Sequence, residues 1–132
     1  MKVSEGCGWK DPRLDFHYNN WAPTGKPYGF YHYGRPDLGN TPEEEVDSFL
    51  SFIGAHIGKA TMHLDFEGKS LDVPNGAEWA KSWIDDFISK TNVRPMLYIQ
   101  GSPLTSGAYD SIFDEDIACW AASDPIWYNG HD

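Results

Sequence analysis

The chain has 132 residues, of which 40% are hydrophobic and 15% aromatic, and this is enough for one globular domain with a buried core. Its formal net charge is −10 and its Lys and Arg residues are scattered singly, which argues against nucleic acid as a partner. No apolar run approaches the roughly 20 residues needed to span a bilayer, and the N-terminal segment has no hydrophobic stretch of signal-peptide type, so we expect no membrane partner.

The two cysteines, Cys7 and Cys119, lie far apart and lack Cys-x-x-Cys spacing. Their pattern indicates neither a zinc site nor a disulfide framework. We therefore expect a pair of free, buried thiols.

Strand-like and helix-like segments alternate along the chain. A strand is predicted over 29–34 (GFYHYG), and Thr41 then begins a helix as its N-cap, followed by Pro42 and three glutamates over 43–45. We interpret the acidic triplet as helix-start chemistry, because negative charge stabilises a helix N-terminus. The buried stripe of this helix is predicted to consist of Val46, Phe49, Leu50, Ile53 and Ile57.

The second half of the chain continues this alternation. A strand over 61–67 (TMHLDFE) precedes a helix over about 77–89, and then come a strand over 94–101 (RPMLYIQG), a weaker helical segment over 107–113 and a short strand over 117–123. The buried face of the helix is predicted to consist of Trp79, Trp83, Ile84, Phe87 and Ile88. This order predicts a single α/β domain with a parallel sheet and helices outside it.

The strand over 61–67 has two different faces. Alternation predicts an apolar face of Met62, Leu64 and Phe66 and a polar face of Thr61, His63, Asp65 and Glu67. Asp65 and Glu67 stand at the C-terminal end of the strand, where parallel sheets bind their ligands. We therefore expect the apolar face to pack on helices and the polar face to point inward, at the mouth of a barrel-like sheet.

The two carboxylates suggest acid–base chemistry. Because Asp65 and Glu67 are two residues apart, their Cα atoms should lie about 6.6 Å apart with both side chains on one face. Two carboxylates this close in a partly buried site resist ionising together, so one should hold a proton near neutral pH. Such a pair can protonate a glycosidic oxygen and stabilise a cationic transition state. We predict Glu67 as the acid and Asp65 as its charged partner.

Two alternative roles of this strand stay open. An Asp-x-Glu pair can be ordinary solvated surface, and the shared face of His63, Asp65 and Glu67 could hold a metal ion. The metal hypothesis is weaker, because the sequence shows no second cluster that would complete a ligand set. The six Trp and seven Tyr residues favour a sugar ligand, since their flat apolar faces and polar edges match a pyranose ring.

Several segments also carry a family resemblance. KVSEGCGWKDPRLDFHYNNW at 2–21, GKPYGFYHYGRP at 25–36, LDFEG at 64–68, RPMLYIQG at 94–101 and CWAAS at 119–123 follow one another as in glycoside hydrolase family 25. The chain thus resembles the lysozymes, or N-acetylmuramidases, of bacteriophage lysins and bacteria. The resemblance implies an irregular, TIM-like β/α barrel that cleaves the β-1,4 bond between N-acetylmuramic acid and N-acetylglucosamine in peptidoglycan, without a metal or cofactor.

The resemblance also assigns site residues by position. Glu67 matches the catalytic acid and Asp65 the carboxylate that assists it, while Tyr31 matches an active-site tyrosine. Tyr98 and Trp120 match aromatic residues of the sugar cleft, and alternation independently points both inward. The stereochemical outcome stays open, because the acetamido group of the substrate can act as an internal nucleophile.

Each aromatic assignment has a structural alternative, since Tyr31, Tyr98 and Trp120 could be ordinary core residues. Weaker candidates for the cleft are Glu5, Asp37 and Gln100. His32 is expected to pack outward against a backbone partner.

The sequence departs from the family pattern at both ends. A first strand with an Asp-Val-Ser-type motif and an essential Asp has no counterpart. The family's last two strands, with a Trp-Gln-Tyr-type motif and a final Asp, are also expected to be absent, since the chain stops at DPIWYNGHD with Asp124 where a Tyr is usual. About five parallel strands cannot close an eight-stranded barrel, and open sheet edges tend to pair with other chains. We therefore expect an incomplete barrel that is marginally stable, self-associates and is weakly active at best.

These inferences combine into one leading hypothesis and two alternatives. The leading hypothesis is a peptidoglycan hydrolase that acts outside the cell or after release by phage lysis, although the chain itself shows no signal peptide. The alternatives are a non-catalytic glycan-binding fragment and, less favoured, a metal-dependent hydrolase.

Overall fold

The computed structural model describes residues 1–122, and the predicted features of the terminal segment, including Asp124, lie outside this range. Six strands form its single sheet: β1 Lys2–Glu5, β2 Trp9–Lys10, β3 Gly29–Tyr33, β4 Thr61–Phe66, β5 Met96–Gln100 and β6 Cys119–Ala122. Their spatial order is β2-β1-β3-β4-β5-β6.

The sheet is mostly parallel, as predicted. β1, β3, β4, β5 and β6 run parallel to one another, and only the two-residue β2 is antiparallel, pairing with β1. Within the described residues the sheet is open, with β2 and β6 at its edges. The sequence did not predict β2, because two residues are too few to show the alternation of apolar and polar side chains that marks a strand. The tight turn that returns β2 onto β1 contains Gly6 and Gly8, both with positive φ.

Five α-helices accompany the sheet within residues 1–122: α1 Leu14–Trp21, α2 Pro42–Ile53, α3 Gly76–Thr91, α4 Gly101–Leu104 and α5 Asp110–Phe113. Four 3₁₀ segments, Ala22–Thr24, Pro36–Leu38, Gly54–His56 and Gly68–Asp72, extend the loops. The predicted cap of α2 is confirmed, because the Thr41 hydroxyl accepts from the Glu44 N–H while the Glu44 carboxylate accepts from the Thr41 N–H. Sequence analysis missed α1, since Leu14 is its one buried residue and no apolar stripe marks it.

The hydrophobic core lies between one face of the sheet and the helices α2 and α3. The predicted apolar face of β4 is buried there, and the other face of the same strand is only partly covered. The largest fully buried side chains are Trp83, Phe30, Phe49, Phe66, Phe87, Ile53, Met62, Leu64, Ile84, Leu97, Ile99 and Ile112. The helices thus cover one face of the sheet and leave the polar face for the site.

A polar network crosses this core. His32 is fully buried, its Nδ1 lies 2.8 Å from the Ser4 hydroxyl, and its Nε2 lies 2.8 Å from the Glu45 carboxylate. Glu45 also accepts from the Arg35 N–H and from the Asn40 amide. His32 does pack outward, but onto side chains rather than the expected backbone partner.

The same network corrects the interpretation of the acidic triplet. Glu44 serves the helix start, whereas Glu45 is a fully buried acceptor that joins α2 to β3 and to the loop after it. A helix carries successive side chains about 100° apart, so neighbouring glutamates face different surroundings. Composition alone could not separate the two roles.

The cysteine expectation is half wrong. Both Cys7 and Cys119 are free, but both are exposed in the described part of the chain. Cys7 lies in the turn between β1 and β2, and Cys119 begins the edge strand β6, so neither position reaches the core.

No helix within residues 1–122 has the length and apolar character needed to cross a membrane.

Candidate active site

One row of side chains crosses the sheet near the C-terminal ends of its strands. The strand register pairs its members in the order Trp9, Glu5, Tyr33, Asp65, Tyr98 and Trp120, one residue from each strand. Residues directly opposite one another on neighbouring strands share a face. The row therefore lies on the face that α2 and α3 leave uncovered.

A cleft of about 370 Å³ lies along part of this row. The structure brings all five predicted site residues to its lining, which includes Tyr31, Asp65, Glu67, Tyr98 and Trp120 together with Thr61 and His63. Tyr31 reaches the cleft because alternation along β3 places Tyr31 and Tyr33 opposite the buried Phe30 and His32. The polar face of β4 is thus a wall of the cleft, as the sequence predicted.

Two hydrogen bonds and a glycine turn fix Glu67 at the end of β4. The Tyr33 hydroxyl donates to the Glu67 carbonyl at 3.0 Å, and the Ser70 N–H donates to the same carbonyl at 3.2 Å. Gly68 follows with φ +59°, a conformation that favours glycine, and turns the chain away from the strand. The backbone around Glu67 is therefore held while its side chain faces the cleft.

Asp65 occupies the middle of the row and has an unusual environment. Burial raises the pKa of Asp65 to about 7, with a further rise from the charge of Glu67, and Lys2 opposes part of this. Its Oδ1 atom is buried and has no hydrogen-bond partner among residues 1–122. A buried acceptor without a partner is uncommon in folded proteins and suits a group that contacts a ligand.

The surroundings of Asp65 follow from its position in the sheet. Asp65 lies between Tyr33 and Tyr98 on the neighbouring strands, whereas Glu67 lies beyond the last residue of β4. Because burial and the charge of Glu67 raise its pKa to about 7, Asp65 is partly protonated near neutral pH.

The phenols around the pair stay protonated. Burial, followed by the negative charge of Asp65 and Glu67, raises the pKa of Tyr31 and Tyr33. The same effects raise the pKa of Tyr98. A neutral phenol can donate to a sugar oxygen or to a carboxylate, so the cleft combines two acids with two hydroxyl donors, Tyr31 and Tyr98, while the Tyr33 hydroxyl donates to the Glu67 carbonyl.

Aromatic rings form the far wall of the cleft. Tyr98 and Trp120 contact edge to face with ring centroids 5.4 Å apart, and His63 lies 6.4 Å from the Trp120 ring. Trp120 is 58% exposed, because β6 is an edge strand of the described sheet. Neither Tyr98 nor Trp120 belongs to the buried core, which argues against the alternative that they are ordinary core aromatics.

Sequence analysis missed Tyr33, which stands directly beside Asp65 in the row. The signal was present, since the alternation that selects Tyr31 in FYHY selects Tyr33 as well.

The three weaker candidates have different positions. Glu5 belongs to the row, and Asp37 accepts from the Arg35 guanidinium at 2.7 and 2.8 Å. Gln100 is exposed and lies outside the cleft lining.

A charged cluster continues the site beyond Tyr33. The Lys2 ammonium lies 2.8 Å from the Glu5 carboxylate, 5.3 Å from the Tyr33 ring centroid and 5.1 Å from that of Trp9. Arg35 donates to Glu5 and also lies over the Tyr33 ring. These contacts orient both aromatic rings and supply the positive charge that restrains the pKa of Asp65.

The metal alternative finds little support in the geometry. Within the described range, no three or more His, Cys, Asp or Glu side chains converge on a point that could hold a metal ion. His63 instead lies with its Nε2 2.9 Å from the Thr61 hydroxyl.

Solved structures share this fold. A muramidase from Acremonium alcalophilum superposes with a TM-score of 0.75 and 17% identity, covering 91% of this chain and 62% of that one. A bacterial lysozyme from Streptomyces coelicolor gives 0.71 and 18%, covering 91% and 60%. The catalytic domain of an endolysin from a Listeria monocytogenes bacteriophage gives 0.59 and 22%, covering 88% and 56%. The chain spans about three fifths of the length of these structures.

The sequence also matches a family model. No curated protein sequence matches the chain, but the model for glycosyl hydrolases family 25 matches residues 1–129, nearly the whole length. The motifs, the mostly parallel sheet and this match agree, and the chain belongs to glycosyl hydrolases family 25.

Proposed function

We propose that the chain is the catalytic region of a peptidoglycan hydrolase that cleaves the β-1,4 bond between N-acetylmuramic acid and N-acetylglucosamine. The carboxylate pair carries this proposal, because Asp65 and Glu67 share a cleft with aromatic walls and one of them holds a proton near neutral pH. Family membership supports the same reaction class. The whole chain, 1–132, acts as one domain in this proposal.

Glu67 is the proposed general acid. It lies at the open end of β4, where a glycosidic oxygen can approach it more closely than the enclosed Asp65. Asp65 then assists by orienting the substrate through its unpartnered Oδ1 and by balancing positive charge in the transition state. For this reaction the shared proton must lie on Glu67, which transfers it to the glycosidic oxygen, while Asp65 is ionised and balances the developing positive charge.

The aromatic residues are the proposed substrate contacts. Tyr31 and Tyr98 present neutral phenols to sugar hydroxyl or acetamido groups, and Trp120 offers an exposed ring for the apolar face of a pyranose. No metal or cofactor enters the proposed reaction. The substrate places the action outside the cell or after release by phage lysis.

The test is release of new reducing ends from purified peptidoglycan by the wild type, by Glu67→Gln and by Glu43→Gln. Glu43 is an exposed glutamate of α2, so its variant makes the same chemical change away from the cleft. We expect Glu67→Gln to lose activity by about 10²- to 10⁴-fold, the usual contribution of a general acid, and Glu43→Gln to match the wild type.

A second substrate separates the roles of the two carboxylates. A saccharide with a nitrophenolate leaving group needs little protonation, so Glu67→Gln should recover much of its activity on it, whereas Asp65→Asn should stay impaired. The reverse pattern would make Asp65 the acid. Binding of peptidoglycan by the wild type without any reducing ends would refute the hydrolase and favour a glycan-binding module.

A further inference from the structure

We infer that the Trp9 end of the cross-strand row is a second saccharide-binding subsite, which holds the glycan strand where it continues beyond the cleft. The inference rests on the proposed function, since both regions would bind one polymer. The subsite, called the Trp9 patch, is a depression of about 490 Å³ lined by Glu5, Cys7, Trp9, Leu38 and Asn40.

Continuity with the cleft is the first argument. The row runs from Trp120 through Tyr98, Asp65, Tyr33 and Glu5 to Trp9 without leaving the face. Neighbouring strands lie about 4.8 Å apart, so five steps span roughly 24 Å, the length of several pyranose rings. Glu5 lines the Trp9 patch and Asp65 lines the cleft, and in the row only Tyr33 stands between them.

The chemistry of the Trp9 patch is the second argument. Trp9 is 44% exposed, yet the Lys2 ammonium lies 5.1 Å from its ring centroid and is itself held by Glu5, so the ring is oriented before a ligand arrives. Leu38, 59% exposed, adds apolar surface beside it. An exposed ring whose orientation is fixed suits stacking against the C–H face of a sugar at low entropic cost.

Polar groups at the rim are also fixed in place. The Asn40 amide nitrogen donates to Glu45 at 3.0 Å, and the Glu5 carboxylate is held by Lys2 and Arg35. Such groups can exchange hydrogen bonds with sugar hydroxyls without having to reorganise. The Trp9 patch therefore resembles a small ligand site more than a random exposed tryptophan.

Charge argues against an anionic group as the occupant. The two cations beside the Trp9 patch, Lys2 and Arg35, are paired with Glu5 and Asp37. The negative charges of Glu44 and Glu45 also act on Cys7 in the lining. Neither cation is therefore free to hold an anion, and the apolar ring faces and hydroxyl groups of a glycan backbone match this surface.

Binding of N-acetylglucosamine oligomers tests the subsite by calorimetry. The wild type should bind a hexasaccharide more tightly than a disaccharide, because only the longer chain reaches the Trp9 patch from the cleft. Trp9→Ala should weaken hexasaccharide binding by roughly three- to tenfold and leave disaccharide binding unchanged. Trp9→Tyr, which keeps a smaller aromatic face, should fall between the two and shows that the β1–β2 turn still folds.

Trp21→Ala is the matched control. Trp21 is also 44% exposed and also has a lysine over its ring, Lys26, but it lies at the end of α1, outside the row. The Trp21→Ala variant should leave the affinities for the hexasaccharide and the disaccharide unchanged. Equal hexasaccharide affinity in the wild type and Trp9→Ala would overturn the subsite while leaving the proposed hydrolase intact. If the wild type binds neither oligomer, the subsite fails, and release of reducing ends decides the hydrolase separately.

Discussion

Asp65 and Glu67 are chemically similar side chains on one strand face, and their surroundings make them different. The shift in the pKa of Asp65 comes first from burial within the cross-strand row and only second from the charge of its neighbour. Glu67 follows the strand, next to the left-handed Gly68. The position of Asp65 inside the row, between Tyr33 and Tyr98, therefore raises its pKa.

The raised pKa of Asp65 predicts that this residue destabilises the fold at neutral pH. Its pKa is 3.8 in an unfolded chain and about 7 in the folded one, so the stability present below about pH 4 is lost as the pH rises through 7. Asp65→Asn removes the buried charge. We expect it to match the wild type at pH 4 and to be more stable at pH 8 by on the order of 1–2 kcal/mol, because solvent screens part of the effect.

Urea unfolding at the two pH values measures this difference. Asp114→Asn is the control, since Asp114 is exposed in the turn after α5 and should change stability little at either pH. An Asp65→Asn protein that is less stable than the wild type at pH 8 would contradict the assigned burial cost.

At the scale of one element, three consecutive glutamates at the start of α2 have different environments and different roles. Glu43 is exposed, Glu44 completes the capping box, and Glu45 is fully buried. Of the three glutamates, Glu45 is the one that connects α2 to the sheet, through His32, and to the loop whose Arg35 holds Glu5. The helix thereby positions part of the site that it does not itself contact.

Glu45→Gln should therefore destabilise the protein more than Glu43→Gln. A glutamine amide nitrogen would face donors from His32, Arg35 or Asn40, so at least one buried donor would lose its acceptor. We expect a loss of about 1–3 kcal/mol for Glu45→Gln and less than about 0.5 kcal/mol for Glu43→Gln, measured by urea unfolding. Equal stability of the two variants would show that the network is dispensable.

At the scale of the whole molecule, an open sheet and a large net charge act in opposite directions. The described sheet has β2 and β6 at its edges, and unpaired strand edges favour association with other chains. The net charge of −10 at pH 7 opposes association through mutual repulsion.

Self-association should therefore increase with salt. Raising the ionic strength from about 0.01 M to about 1 M shortens the Debye length from roughly 30 Å to roughly 3 Å, which removes most of the repulsion between molecules. Sedimentation velocity over a range of protein concentrations at pH 7.5 should show a larger fraction of dimers or higher species at high salt. An unchanged monomer at both ionic strengths would count against association through the sheet edges.

The sequence determined the local features of this protein. Alternation in TMHLDFE separated the buried face of β4 from the polar one, Thr41 and its following glutamates marked the start of α2, and family motifs located Asp65 and Glu67. These signals are readable because they depend on strand or helix period and on contacts a few residues apart.

Only the tertiary structure decided the features that depend on residues distant in sequence. Only strand register aligned Trp9, Glu5 and Tyr33 with Asp65, and only packing around Asp65 gave this carboxyl the raised pKa. The burial of Glu45 against His32 likewise had no local signal. Register, burial and long-range hydrogen bonds arise when separate elements meet, so a single stretch of sequence does not encode them.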